Sequence, residues 1–95
     1  MVSRSAERRR QAGIARRAFG AVFSVCLRAP GVSVSRVARE AHVTRAYVQR
    51  LAGGKSQPTL SVLLAIADVL QTPAPKLVAM TLKKVEELSG EADKP

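Results

Sequence analysis

Hydrophobic and polar positions alternate with the period of an α-helix in five stretches of the chain. The first is predicted to begin at Ser5, a candidate N-cap, and to end at Ala29, before the helix-stopping pair Pro30-Gly31. Its inward positions recur every three or four residues: Ala12, Ala15, Phe19, Val22, Phe23 and Cys26. The pattern therefore predicts a long first helix whose Arg-rich beginning precedes its apolar stripe.

A pair of short helices joined by about three residues comes next. Ser33 is predicted to cap the first of the pair and Thr44 the second, because each places a side-chain oxygen directly before an apolar-periodic run. Gly53-Gly54 can end the second, since glycine readily adopts the left-handed conformation. The inward-facing residues are predicted to be Val37, Ala38, Ala41, Val48 and Leu51. Such a pair, with a basic outer face on its second helix, has the form of a helix-turn-helix that enters the major groove of DNA.

Two further helices are predicted to complete an all-α fold of five helices. Thr59 can cap the fourth, which ends at the segment Thr72 to Pro75. The residues of the fourth helix predicted to face the core are Leu60, Leu63, Leu64, Ala67 and Leu70. The fifth helix is predicted from about Pro75 to Leu88, with apolar residues Leu77, Val78, Leu82, Val85 and Leu88. The polar tail, residues 89–95, is expected to be loose.

Charge is distributed unevenly along the chain. Residues 1–55 hold twelve Lys or Arg against two Glu, and residues 56–95 hold four Lys against five acidic residues, for a net charge of +9. A basic half this strong indicates a polyanionic partner, either nucleic acid or an anionic membrane surface. The membrane alternative is weaker, because the arginines lead into a capped multi-helix domain and not into one amphipathic helix. The basic arm residues are Arg4, Arg8, Arg9 and Arg10.

Other chemistry is sparse. The single cysteine, Cys26, cannot form an internal disulfide, and the single histidine, His42, has no nucleophile, base or metal-ligand set around it at workable spacing. We therefore expect no enzymatic activity, no metal site and no cofactor. No signal peptide is apparent, and the longest apolar stretches are far shorter than the roughly 20 residues of a membrane span, so a cytoplasmic bacterial protein is expected.

The segment V-S-V-S-R-V-A-R-E-A-H-V-T-R-A-Y-V-Q-R-L-A-G-G-K-S-Q-P-T-L, Val32 to Leu60, resembles the Cro and phage-repressor (XRE-type) helix-turn-helix family. The similarity extends from about Phe19 to Leu70. It is carried by Val37-Ala38, Val43-Thr44, Val48, Leu51, Gly54-Lys55 and Pro58-Thr59-Leu60. The resemblance implies a lambda-repressor-like DNA-binding domain with its helix-turn-helix at helices 2 and 3.

By position, the resemblance implies that the base-contacting residues are Arg45, Ala46, Gln49 and Arg50. Arginine can bond guanine and glutamine can bond adenine through two hydrogen bonds, and alanine can pack against a thymine methyl group. Helix starts and loops with free backbone N–H groups are the places expected to bind phosphate. The predicted phosphate-contacting residues are Ser33, Thr44, Tyr47, Lys55, Ser56 and Gln57. For Tyr47 the alternative is a partly buried ring.

Three departures from the family pattern stand out. His42 occupies a turn position where most members carry glycine, which implies a positive φ at His42. Val34 replaces the glutamine that in many members bonds a phosphate, so we expect that contact to be missing. Leu27 and Ala52 replace a common Arg–Glu pair, and losing both partners together is acceptable because no charge is then left buried alone.

The chain is predicted to consist of a basic N-terminal arm or helix extension (1–18), the helix-turn-helix domain (19–71), and a C-terminal helix with its tail (72–95). The apolar residues of helix 5 either pack back on helix 1 or form a homodimer interface, for which the candidates are Leu77, Val78, Leu82, Val85 and Leu88. The resulting hypothesis is a sequence-specific transcription regulator, most simply a dimeric repressor on a palindromic operator. Two alternatives remain open: an activator, and an antitoxin that binds a small protein toxin and regulates its own operon.

Overall fold

Five helices and no strand make up residues 4–92, the part of the chain that the computed structural model describes, with side chains described through residue 90. The helices are α1 (Arg4–Cys26), α2 (Val34–Ala41), α3 (Arg45–Ala52), α4 (Leu60–Val69) and α5 (Ala74–Ala92). The predicted all-α fold with its helix-turn-helix at α2 and α3 is confirmed. Within the predicted tail, residues 89–92 are helical, and residues 93–95 lie outside the described residues, as do residues 1–3.

Helix α1 is one continuous helix from the Arg-rich segment to the core. Because it begins at Arg4, the prediction that Ser5 is its N-cap is wrong. It ends at Cys26, three residues earlier than predicted, where the N–H of Ala29 donates to the Cys26 carbonyl at 3.2 Å and tightens the chain into a turn. Pro30 limits the helix here, since it has no N–H to donate to the Cys26 carbonyl four residues earlier and its ring would clash with that carbonyl. Of the two possibilities left open for the basic segment, residues 4–18 form a helix extension.

The predicted caps of the three middle helices are confirmed. Ser33, Thr44 and Thr59 each have extended backbone and accept a hydrogen bond from the N–H three residues later. The donors are the backbone N–H groups of Arg36, Tyr47 and Val62, at 3.1, 3.1 and 3.2 Å. Each cap satisfies one of the N–H groups that a helix start leaves without an intrahelical acceptor.

Three positions within two residues of a helix C-terminus adopt the left-handed conformation, and Gly31, before α2, also has a positive φ. His42 does so at φ 58°, as the resemblance implied, and Gly54 does so at φ 73°, whereas Gly53, the C-cap of α3, has φ −82°. Gln71 has φ 53° and follows the C-cap Leu70, so α4 ends before the proline-rich segment that was predicted to stop it. These turns redirect the chain between successive helices.

The core is formed where all five helices meet, around the fully buried side chains of Phe23, Val37, Val48, Leu51, Ile66 and Leu77. The prediction that Leu60 and Leu64 face this core is wrong, because they are 71% and 51% exposed. Helix α4 is apolar on nearly every side, so its periodicity does not select a face. Its packing against α2 and α5 buries Ile66 and Val69, which were not predicted, together with Ala67, which was.

Helix α5 packs back along α1 of its own chain. Leu77 is fully buried by this packing, so the prediction that it lies in a dimer interface is wrong. Val78 and Leu82 remain exposed, and Val85 and Leu88 are half-buried. On α1, the same packing buries Val22.

Within residues 4–92, no single helix combines the length and hydropathy of a membrane span. Helix α4 and residues 74–90 of α5 meet those criteria of length and composition only as a pair, with a bend of 107° between them. Ile66, Val69 and Leu77 of these two helices lie in the core.

Candidate nucleic-acid interface

The four residues predicted to contact bases lie on one outward face of α3. Arg45, Ala46, Gln49 and Arg50 are all exposed, and they share a side of the helix because Arg45 and Gln49, like Ala46 and Arg50, are four residues apart and Ala46 and Gln49 are three apart. On the opposite side, Val48 and Leu51 are completely buried in the core. One face of α3 is therefore packed in the core, and the opposite face, here called its front, is exposed and basic.

The dimensions and donors of α3 suit the major groove. A helix is about 10–12 Å wide with its side chains, and the groove of B-DNA is about 12 Å wide. The first two backbone N–H groups of α3, those of Arg45 and Ala46, have no acceptor within the described part of the chain. They and the positive end of the helix dipole offer a place for a phosphate beside the outward face of α3 that is predicted to contact bases, here called the base-contacting face.

The cap residues Ser33 and Thr44 are exposed at the starts of α2 and α3. Their hydroxyl oxygens accept the capping bonds, and each hydroxyl proton is still available for a further acceptor such as a phosphate oxygen. Thr44 lies next to the base-contacting face, whereas Ser33 begins the preceding helix. Lys55 is exposed and Ser56 is half-buried in the loop after α3.

Tyr47 and Gln57 are engaged in contacts within the chain. The half-buried Tyr47 donates its hydroxyl hydrogen to the Gln57 carbonyl oxygen at 2.9 Å, and the guanidinium of Arg50 lies 5.7 Å from the centre of the Tyr47 ring. The Gln57 side-chain amide donates to the Ala12 carbonyl of α1 at 3.3 Å. The alternative of a partly buried Tyr47 ring is the arrangement observed, and the loop after α3 is tied to both α3 and α1.

A close backbone contact that sequence reasoning missed sets the position of α3. A Cβ atom on Gly20 of α1 would lie 2.7 Å from the Gly54 nitrogen and 2.9 Å from the Leu51 carbonyl oxygen. Gly54 in turn lies against the backbone of Arg17. The only signal in the sequence is a glycine inside an otherwise regular apolar helix, which typically marks a close approach of backbones.

Besides the positive φ of His42, the other two departures from the family pattern also have physical counterparts. Val34 is half-buried against the core, so it offers no hydrogen bond to a phosphate from its side chain. Leu27 and Ala52 also pack against the core, and the Ser24 hydroxyl donates to the Ala52 carbonyl at 3.0 Å. Within the described residues, no buried side-chain nitrogen or oxygen is left without a hydrogen-bond partner.

The predicted arm residues Arg4, Arg8, Arg9 and Arg10 are exposed on α1, where Arg10 forms an ion pair with Glu7 at 3.0 Å.

Burial raises the pKa of the Cys26 thiol above its ordinary value, so it stays protonated at neutral pH. No group of three or more His, Cys, Asp or Glu side chains among the described residues could hold a metal ion.

Comparisons with known proteins agree with this architecture. Residues 3–80 match a family model described as a helix-turn-helix domain. The structure is similar to the crystal structure of the clp gene regulator ClgR from Corynebacterium glutamicum, with a TM-score of 0.74, 18% sequence identity, and coverage of 83% of this chain and 84% of that one. Comparison with curated proteins finds no match. Since the matched segment covers most of the chain, the protein belongs to the helix-turn-helix domain family.

Proposed function

We propose that the protein is a sequence-specific DNA-binding transcription regulator that acts as a dimeric repressor on a palindromic operator in the bacterial cytoplasm. The observation that carries this proposal is the front of α3, where Arg45, Ala46, Gln49 and Arg50 are exposed together while Val48 and Leu51 hold the helix in the core. The fold similarity to a clp gene regulator supports a role in gene regulation.

In the proposed complex, α3 lies in the major groove. Arg45, Gln49 and Arg50 donate hydrogen bonds to base edges, and the Ala46 methyl group contacts thymine. Thr44, the free N–H groups of the first turn and Lys55 bind the phosphates on either side of that groove. Tyr47 supports the site from within, because its ring lies under Arg50 and its hydroxyl binds the Gln57 carbonyl.

The proposed experiment is selection from random duplex DNA, followed by affinity measurements for the selected site. Arg45→Ala and Gln49→Ala should each weaken binding to that site about tenfold to a hundredfold, since a bidentate base contact contributes about 1–3 kcal/mol of discrimination. Lys83→Ala is the matched control, because it also removes an exposed basic side chain but lies on α5, which does not contact α3. Equal binding of all duplexes by the wild type would overturn the proposal.

The dimer is proposed to form through the exposed part of α5. Val78 and Leu82 line an apolar groove of about 200 Å³ together with Phe19 of α1 and Leu63 of α4. A second copy of the chain is the proposed occupant of this groove. Leu82 is 58% exposed, so in a two-fold arrangement the Leu82 side chain of each copy can pack against the groove of the other. Repression would follow from a dimer that covers a promoter.

Sedimentation of Leu82→Glu tests this dimer. The charge should prevent the apolar contact and give a monomer, while Val25→Glu, a control at a similarly exposed apolar position on α1, should leave the dimer intact. A dimer that survives Leu82→Glu would rule out this interface but leave DNA binding through α3 untouched.

A further inference from the structure

Four arginines of α1 form a stripe along one side of the helix: Arg9, Arg10, Arg16 and Arg17, here called the basic stripe. Arg9 and Arg16 are seven residues apart, as are Arg10 and Arg17, and residues at this spacing lie two turns apart with an offset of only about 20° around the axis. Arg9, Arg10 and Arg17 are exposed, and Arg16 is half-buried. Arg9 and Arg10 belong to the predicted basic arm, and Arg16 and Arg17 continue their line along the helix.

The basic stripe lies on the side of α1 that faces the loop after α3. Arg17 contacts Gly54 through its backbone, and Arg16 lines the same groove as Gln57 and Pro58. Further along, the Ala12 carbonyl accepts the hydrogen bond from the Gln57 side chain. Three separate contacts therefore position this side of α1 beside the loop.

The other two arginines of α1, Arg4 and Arg8, do not belong to the basic stripe. Arg8 is seven residues before Ala15, and Arg4 is eighteen residues, or about five turns, before Val22. Ala15 and Val22 line grooves together with residues of α5. Arg4 thus lies toward the α5 side of α1, whereas Arg8 is in line with Ala15, which borders both α5 and the loop after α3.

The contacts from the base-contacting face to the basic stripe are continuous. Arg50 lies over Tyr47, the Tyr47 hydroxyl binds Gln57, and Gln57 binds Ala12. The backbone carbonyl of Arg50 also accepts the N–H of Lys55 at 2.9 Å, which extends the basic surface from α3 into the loop. A duplex seated on α3 would therefore have the basic stripe beside the strand that passes the end of this helix.

The length and charge of the stripe match a stretch of phosphate backbone. From Arg9 to Arg17 the helix rises about 12 Å, over which one strand of B-DNA carries about three to four phosphates. Glu7 is the one acidic residue in α1, and it pairs with Arg10. Arg9, Arg16 and Arg17 have no ion-pair partner within the described residues, so their charges are available to an anion.

We propose that the basic stripe is a second DNA-binding surface, which binds backbone phosphates flanking the bases contacted by α3. This inference rests on the proposed function. Because α1 is one helix from Arg4 to Cys26, the stripe acts as a rigid extension alongside the duplex and not as an arm that enters the minor groove. It lengthens the bound DNA segment and adds affinity without adding sequence preference, since phosphates carry no direct sequence information.

The test compares two double variants that remove the same charge from exposed positions. Arg9→Gln/Arg17→Gln alters the stripe, whereas Arg4→Gln/Lys83→Gln alters the side where α1 meets α5. Glutamine has a helix propensity similar to those of arginine and lysine. For the selected operator, the slope of log affinity against log salt should become shallower by about 1.8 per bound protomer in the stripe variant, or about 3.6 for the proposed dimer, from about 0.9 per lost phosphate contact. The control should change it much less. Circular dichroism checks that both variants keep the helical content of the wild type.

Ethylation interference locates the contacts. The wild type and the control should be sensitive to ethylated phosphates outside the base-contacted half-site, and the stripe variant should lose that sensitivity while it still selects the same bases. Equal salt slopes and equal interference patterns for the two double variants would overturn the basic stripe. Failure of the proposed function is a separate result, because in that case Arg45→Ala would not change the sequence preference of the otherwise wild-type protein.

Discussion

At the scale of single residues, Gly20 and Gly54 allow α1 and the end of α3 to approach more closely than any side chain permits. Gly54 also needs glycine for its conformation, since it has φ 73°. Gly20 has ordinary helical backbone, so its requirement comes only from the atoms of Gly54 and Leu51 that it touches. By contrast, His42 adopts φ 58° with a full side chain, which histidine tolerates better than most residues.

We predict that Gly20→Ala destabilises the protein by about 1–3 kcal/mol, because the new methyl group would meet backbone atoms at 2.7–2.9 Å and α3 would have to move. The control is Gly13→Ala in the same helix, where a Cβ meets only the end of the Arg16 side chain at 3.6 Å. That change should stabilise the helix by up to about 1 kcal/mol. Urea unfolding at constant m-value measures both, and similar stability for the two variants would contradict the close contact.

At the scale of elements, α3 is too short to be stable by itself. It has eight residues, and isolated helices of fewer than about 12–15 residues are marginal in water. Its stability comes from the Thr44 cap at its start and from the burial of Val48 and Leu51. Since its other face is exposed and adds little burial, the cap carries a larger share of the stabilisation than it would in a long helix.

Thr44→Ala should reduce the free energy of unfolding by about 1 kcal/mol, because the Tyr47 N–H loses its acceptor at 3.1 Å. Thr44→Ser keeps a side-chain oxygen in place and should retain most of the wild-type stability. Chemical denaturation of the three proteins provides the comparison. If alanine and serine gave the same stability, the capping bond would have no energetic importance here.

At the scale of the whole molecule, α5 completes the core and also presents an apolar surface. Leu77 reaches the core formed by the other four helices and is fully buried. Leu82, a little more than one turn later, is 58% exposed at the groove between α1 and α5. Folding of the chain and the proposed dimerisation therefore depend on different residues of the same helix.

Leu77→Ala should cost about 2–5 kcal/mol of stability even at protein concentrations where the chain is monomeric, because it leaves a cavity in the core. Leu82→Ala at the same concentration should change stability by less than about 1 kcal/mol, since an exposed side chain gives up little burial. Thermal unfolding at low protein concentration distinguishes the two variants. A large loss for Leu82→Ala under those conditions would mean that the groove is part of the monomer core.

Much of this fold follows from local rules. The caps at Ser33, Thr44 and Thr59 depend on residues within one turn, so the sequence alone predicts them. The division of α3 into a buried back and a basic front depends on the period of a single helix, and it too is apparent from spacing. The positive φ of His42 is implied by the resemblance to a family.

Other features depend on which helices meet, and only the tertiary structure decides them. Periodicity cannot choose between faces of α4, because Leu60, Leu64 and Ile66 are equally apolar, and the neighbours α2 and α5 make the choice. Which neighbour the arginines of α1 lie beside is likewise not determined by the sequence. It is set by the contacts of Gly20 with Gly54 and of Ala12 with Gln57. The sequence by itself determined the helices, their caps and the character of each surface, since these depend on neighbours along the chain. Long-range packing decided which surfaces are buried and which lie side by side.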